Sequence, residues 1–155
     1  MTPRRVRRLD LPRGERVVEA LPALTAALAG DGPALLPLDP RDPRADAIAA
    51  ALGADAPGSD MTTAATGHPL DAGEDDPADP TALVMPTSGS TGAPKGVLLS
   101  AGQLAASAAA TEARLGGPGS WLLALPAHHI AGMQVLLRAA RAGTAVVALD
   151  GEKPF

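Results

Sequence analysis

The chain has 155 residues, a formal net charge of −4, no cysteine, and two aromatic side chains apart from histidine, Trp121 and Phe155. That length fits one domain with a sizeable core, the missing thiols leave neither a disulfide framework nor thiolate chemistry, and the acidic balance, with no basic face carrying interleaved aromatics, argues against a nucleic-acid binder. The core must be built from Leu, Val, Ala and Met, and only Trp121 could stack on a flat ring. No stretch reaches the uninterrupted apolar length of a membrane span, so a soluble cytoplasmic protein is expected.

In chain order, Arg4, Arg5, Arg7 and Arg8 form the only basic cluster. No apolar run follows them, so they do not build a twin-arginine export signal, and residues 1–14 are expected to be a flexible, solvated basic leader. Residues 15–29 have helical apolar spacing interrupted at Pro22 and stopped by Gly30, Asp31 and Gly32. Residues 34–38 read as a short strand and 44–52 as an amphipathic helix ending at Gly53. Over residues 55–80 the composition shifts to Asp, Gly, Pro, Ala and Thr. The carboxylates of Asp71, Glu74, Asp75, Asp76 and Asp79 lack the order of a calcium loop, so a solvated acidic loop is expected there in place of a metal site.

Beyond that loop the expected order is strand 81–86, strand 97–99, helix 100–115, strand 120–125, helix 130–142 and strand 144–149. Ser100 and Gln103 have the spacing of a capping box, and Gly116, Gly117 and Pro118 end the helix they start. Residues 122–125 and 145–149 are continuous apolar runs, which predicts strands covered on both faces. The fold class expected is α/β: a layered sheet with helices on both faces and substantial parallel character.

Between the strands at 81–86 and 97–99 lies the segment richest in chemistry: Thr87, Ser88, Gly89, Ser90, Thr91, Gly92, Ala93, Pro94, Lys95, Gly96. Short hydroxyl donors, glycines that admit close backbone approach and a mobile cation are what a polyphosphate requires. The Walker A pattern fails, because Pro94 stands where its second glycine belongs and Gly96 follows Lys95. No dinucleotide Gly-x-Gly-x-x-Gly can be written through Gly89 and Gly92. A Ser/Gly-rich linker is the bland alternative, but apolar strands flank the segment and a capped helix follows it. Downstream, His128 and His129 are adjacent. In a helix or strand such neighbours point apart, which makes them a poor metal pair, and no metal site is expected. From the residues alone a hydrogen-bonded structural role suits them.

The string PTSGSTGAPKGV resembles the phosphate-loop signature of the adenylate-forming superfamily of acyl-CoA synthetases, luciferases and peptide-synthetase adenylation domains. LPAHHIAGMQVL is similar to that superfamily's Pro-x-x-His-x-x-Gly segment, and together with GPALLPLD upstream it resembles the short o-succinylbenzoate-CoA ligases of menaquinone biosynthesis. The resemblance implies a two-step reaction: a carboxylic acid, o-succinylbenzoate by this likeness, is adenylated by ATP with Mg2+, then passed to coenzyme A. It implies that Thr87, Ser88, Gly89, Ser90, Thr91, Gly92 and Lys95 hold the phosphates, that Lys95 and His129 serve the chemistry, and that His128, His129, Gly132 and Gln134 border the acid.

It also implies that residues 15–155 are an incomplete N-terminal ATP- and acyl-binding domain. The superfamily's adenine pocket, ribose aspartate, magnesium glutamate and adenylation lysine come from sequence beyond Phe155, and its C-terminal domain is absent here. Weak or no ligase activity is therefore expected of this chain alone. Another acyl-CoA synthetase, or a non-catalytic remnant that binds nucleotide or a partner, stays open as an alternative. A partial sheet with an open edge predicts self-association, which size-exclusion chromatography reads directly: species larger than a monomer are expected, and a clean monomer with a cooperative melt contradicts the expectation.

Overall fold

The computed structural model describes residues 4–54, 69–70, 74–88 and 94–149. Its main sheet has four strands, β1 (Val6–Asp10), β2 (Ala34–Leu38), β3 (Thr81–Ser88) and β4 (Pro94–Ser100), in spatial order β1-β2-β3-β4. The first three run parallel, with Val6 opposite Ala34 and Leu35 opposite Leu83, while β4 returns antiparallel to β3 from Ser88–Pro94 to Thr81–Ser100. A separate parallel pair is made by β5 (Trp121–Leu123) and β6 (Val146–Ala148). The helices are a 3₁₀ stretch (Gly14–Ala20) running into α1 (Leu21–Leu28), then α2 (Ala45–Ala51), α3 (Ala101–Leu115) and α4 (Ile130–Ala142).

The period-2 alternation of a strand divides the sheet's side chains between two cores. Leu9, Leu35, Leu83 and Met85 pack with Leu24 of α1, Leu104 of α3 and Met133, Leu136 and Leu137 of α4. On the opposite face Val6, Leu36, Leu38 and Val84 pack with Ala45 and Ala49 of α2. Helices therefore cover both faces, as the continuous burial of β2 requires. Leu24, Leu83 and Leu136 are fully enclosed, and in such surroundings a Leu→Ala truncation costs about 2–5 kcal/mol.

The expected leader is corrected. Val6–Asp10 is a strand, and Arg4 before it and Arg8 within it are tied in by specific acceptors, most of them remote in sequence. Arg4 donates to the carbonyls of Gly32 at 2.7 Å and Gly30 at 2.5 Å, and Arg8 donates to Asp10 at 2.6 Å and Asp46 at 2.5 Å. Pro22 does not interrupt a helix but falls in the first turn of α1, where its missing N–H costs nothing. The strand expected at 97–99 extends over Pro94–Ser100 because it is laddered to β3. Full coverage of the later strands is also corrected: Leu122 is 56% and Val147 59% exposed. The bounds of α4 and the glycine stop of α3 stand, with Gly116 at φ 88°, a left-handed conformation that suits a residue without Cβ.

Residues 55–68 and 71–73 of the expected acidic loop lie outside the described residues. In the part that is described the carboxylates hold backbone. Asp75 accepts from the Thr81 N–H at 2.9 Å and Asp76 from that of Ala78 at 2.9 Å. Asp79 serves the start of α3: it accepts from the Gly102 N–H at 2.7 Å and the Ser100 hydroxyl at 2.6 Å, while Ser100 and Gln103 complete the capping box. A Cβ on Gly102 would stand 2.7 Å from Asp79 Oδ1, so only glycine lets the carboxylate reach that N–H. The Ser100 hydroxyl, followed by the Gly102 N–H, lowers the Asp79 pKa. A depressed folded-state pKa means stability that is present above the unfolded value near 3.8 and lost as pH falls through the folded one. Asp79→Asn is expected to lower the melting temperature at pH 7, and its deficit relative to wild type should shrink on acidification below 3.8, as followed by circular dichroism melts.

Candidate active site

Ligands of open sheets with parallel strands are received beyond the carboxyl ends of those strands. Here the ends of β2 and β3 open onto a cleft of about 900 Å³. One wall is the turn from β2 to α2, with Asp39, Asp42 and Arg44. A second is the end of the β3–β4 ladder, with Thr87 and Pro94, and a third is the turn before α4, with His128 and His129. A smaller cleft of about 270 Å³ lies alongside, between Leu11, Arg13 and Val17 on one side and Leu123, Leu125 and Ala127 on the other. His128 lines both.

The β3–β4 ladder closes at Ser88–Pro94 and Thr87–Lys95. Thr87 is exposed and its hydroxyl donates to the Lys95 carbonyl at 3.2 Å, which leaves the Lys95 side chain exposed on the neighbouring strand. The expected phosphate-binding residues Gly89, Ser90, Thr91 and Gly92 lie outside the described residues. Their flanks are thus set at the rim of the larger cleft by eight residues of β3 and seven of β4.

The turn before α4 differs from the alternation argued for neighbouring histidines. His129 caps α4 in an extended conformation (φ −99°, ψ 150°), so the pair sits in neither helix nor strand. The two rings lie 4.2 Å apart between centroids at 47°. Burial lowers the pKa of half-buried His128, and the charge of His129 lowers it further, against the opposing pull of Asp39. A neutral imidazole at pH 7 results. Gly132 owes its identity to packing: a Cβ there would stand 2.3 Å from the carbonyl oxygen of Pro126. Gln134 is half-buried, with Oε1 enclosed and lacking a hydrogen-bond partner.

Asp39 is the residue that sequence reasoning missed. It is 5% exposed at the end of β2 and accepts from Arg13 Nη2 at 2.9 Å, Arg13 Nε at 3.2 Å and the Arg41 N–H at 2.9 Å. Burial opposes its charge, but the Arg41 N–H and the Arg13 guanidinium outweigh that and hold its carboxyl below the usual range. Asp42 is likewise occupied, by the Arg44 guanidinium and N–H. One signal was readable, a carboxylate directly after an all-apolar strand. Arg13 had none, since its partner is 26 residues away. Among the described residues, no three His, Asp or Glu side chains converge in a way that could hold a metal ion, and no helix is long and apolar enough to cross a membrane.

A family model described as AMP-binding enzyme matches residues 14–155. The chain belongs to the AMP-binding enzyme family. A probable 2-succinylbenzoate–CoA ligase from Mycobacterium tuberculosis is 41% identical over 150 residues, which are 97% of this chain and 33% of that protein. The 2-succinylbenzoate–CoA ligase of Bacillus subtilis (strain 168) is 42% identical over 71 residues, 44% of this chain and 15% of that one. Among solved structures, the o-succinylbenzoate coenzyme A synthetase of Bacillus subtilis in complex with AMP matches with a TM-score of 0.62 at 23% identity, covering 96% of this chain and 44% of that one. A malonyl-CoA ligase bound to methylmalonyl-CoA and AMP matches with a TM-score of 0.65 at 26% identity, over 94% of this chain and 35% of that one. This chain thus spans about a third of the length of the Mycobacterium tuberculosis relative.

Gly132→Ala tests how the histidine turn is held. The added methyl meets backbone oxygens of Leu125 and Pro126, which cannot swing away. A loss of about 1–3 kcal/mol is expected from the overpacking, read by urea denaturation, together with shifts of the amide signals of Leu125 and residues 127–129.

Proposed function

We propose that this chain supplies the phosphate-gripping and acid-binding part of an adenylate-forming acid–CoA ligase, with 2-succinylbenzoate as the acid. The observation that carries the proposal is a juxtaposition: the strand ends bracketing the hydroxyl- and glycine-rich segment open onto the cleft that His128 and His129 line. Relatives that are 41–42% identical and named as 2-succinylbenzoate–CoA ligases support the choice of acid.

In the first step a carboxylate oxygen attacks the α-phosphorus of ATP and pyrophosphate departs. In the second, the thiol of coenzyme A loses its proton to solvent and the thiolate attacks the acyl carbon, the bond to the phosphate oxygen breaks and AMP departs. Both bring anionic partners together, so the protein contributes position and electrostatics more than a covalent nucleophile. Thr87, Ser88, Gly89, Ser90, Thr91 and Gly92 hold the phosphates through hydroxyl and backbone donors, and Lys95 adds a positive charge. Mg2+, when bound with ATP, would supply charge screening on the polyphosphate. His128 and His129 border the carboxylate, and an imidazole that is neutral at pH 7 can donate a hydrogen bond to it without a counter-ion. Gln134 borders the same acid from α4, while Gly132 lets α4 begin against residues 125–126.

A second reading, a ligase for another short acid, draws on the malonyl-CoA ligase likeness. Titrating MgATP into the isotopically labelled chain is expected to shift the amide signals of residues 87–93, Lys95 and Gly96, and Lys95→Ala should weaken the interaction several-fold. Signals that stay put at saturating MgATP overturn the proposal. Pyrophosphate release by the intact ligase across a panel of acids then separates 2-succinylbenzoate from malonate.

A further inference from the structure

Four charged groups from outside the histidine turn share a cleft lining with His128. Asp39, Asp42 and Arg44 come from the turn after β2, and Arg13 comes from the segment between β1 and the 3₁₀ stretch; within the turn itself there is His129. They are joined in two pairs, Arg44 to Asp42 within one turn and Arg13 to Asp39 across the fold. Arg13 lines the smaller cleft, Asp39 lines the larger, and two guanidinium nitrogens close on Asp39 Oδ2. Their bond therefore runs from one cleft to the other beside the imidazole common to both. Asp39 is held further by the Arg41 N–H on its other oxygen, so it has little freedom to turn away. Asp42 differs, being committed to Arg44 within its own turn.

We propose that Asp39 and Arg13 are a positioning pair for His128: a fixed carboxylate and a tethered guanidinium of opposite sign that bias its charge in opposing directions from outside its own segment. The importance of that charge for an acid substrate rests on the function proposed above, but the pair itself is testable without any ligand. The carboxylate favours the imidazolium and the guanidinium disfavours it, and the net balance, with burial, leaves His128 below its ordinary value of 6.5. Removing the two charges one at a time must then move the imidazole in opposite directions. A pair that merely braced the turn would behave differently. Loosening the turn from either side admits water, and both variants would drift upward toward 6.5.

The experiment is a proton NMR titration of the His128 Cε1–H in the full 155-residue chain, with assignment by His68→Gln and His129→Gln. Asp39→Asn is expected to shift the midpoint to lower pH than wild type, and Arg13→Gln to higher pH. Arg13→Lys, which keeps the charge, should restore most of the wild-type value. Midpoints that both rise, or that do not move, overturn the pair. Should Asp39→Asn fail to fold, wild type and Arg13→Gln compared at low and high salt decide: a higher Arg13→Gln midpoint whose difference from wild type narrows at high salt supports the pair, and a difference that salt leaves unchanged, or no difference, overturns it. Since no nucleotide or acid is present, a failed titration removes the pair and leaves the ligase reading to its own MgATP test.

Discussion

The complete burial of β2 is the constraint on which the rest of the molecule depends. Each of its five residues is enclosed between β1 and β3 and between two helical layers. A strand so placed can carry only apolar side chains along its length, and the first polar group it presents is at its carboxyl end. That group is Asp39. The larger cleft exists because the chain must leave the sheet there, turn through Asp42 and Arg44, and start α2 on the far face.

Holding a buried carboxylate at that exit has an energetic condition. An ionised group with almost no solvent access is tolerated only when charge and hydrogen bonds are both answered. Arg13 and the Arg41 N–H answer them for Asp39, drawing on a segment before the first helix and on the strand's own outgoing turn. The amino-terminal segment is therefore part of the sheet and of the wall of the smaller cleft. Their arginines are spent on specific acceptors, the carbonyls of Gly30 and Gly32 and the carboxylates of Asp10, Asp39 and Asp46.

What could be read from residue order was whatever is decided locally. The capping box of Ser100 and Gln103, the glycine stop at Gly116 and the span of α4 involve neighbours within a turn or two, and each is found as expected. β1 escaped notice because its apolar content is thin and its charges look solvated until Asp46 and Gly30 arrive from elsewhere in the fold. The antiparallel return of β4 likewise depends on pairing with β3 and not on propensity. In the cleft, Thr87, His128 and His129 were recognisable from motif strings, whereas Asp39 and Arg13 acquire meaning only as a pair joined across the tertiary structure.

The scarcity of aromatic side chains has a practical side. Trp121 opens β5, and the guanidinium of Arg138 from α4 lies 5.3 Å from the centroid of its ring. With no tyrosine in the chain, ultraviolet emission excited at long wavelength arises from this single indole. The native molecule thus carries its own fluorophore, set between the second sheet and the helix capped by His129, and its colour reports whether those two elements remain docked.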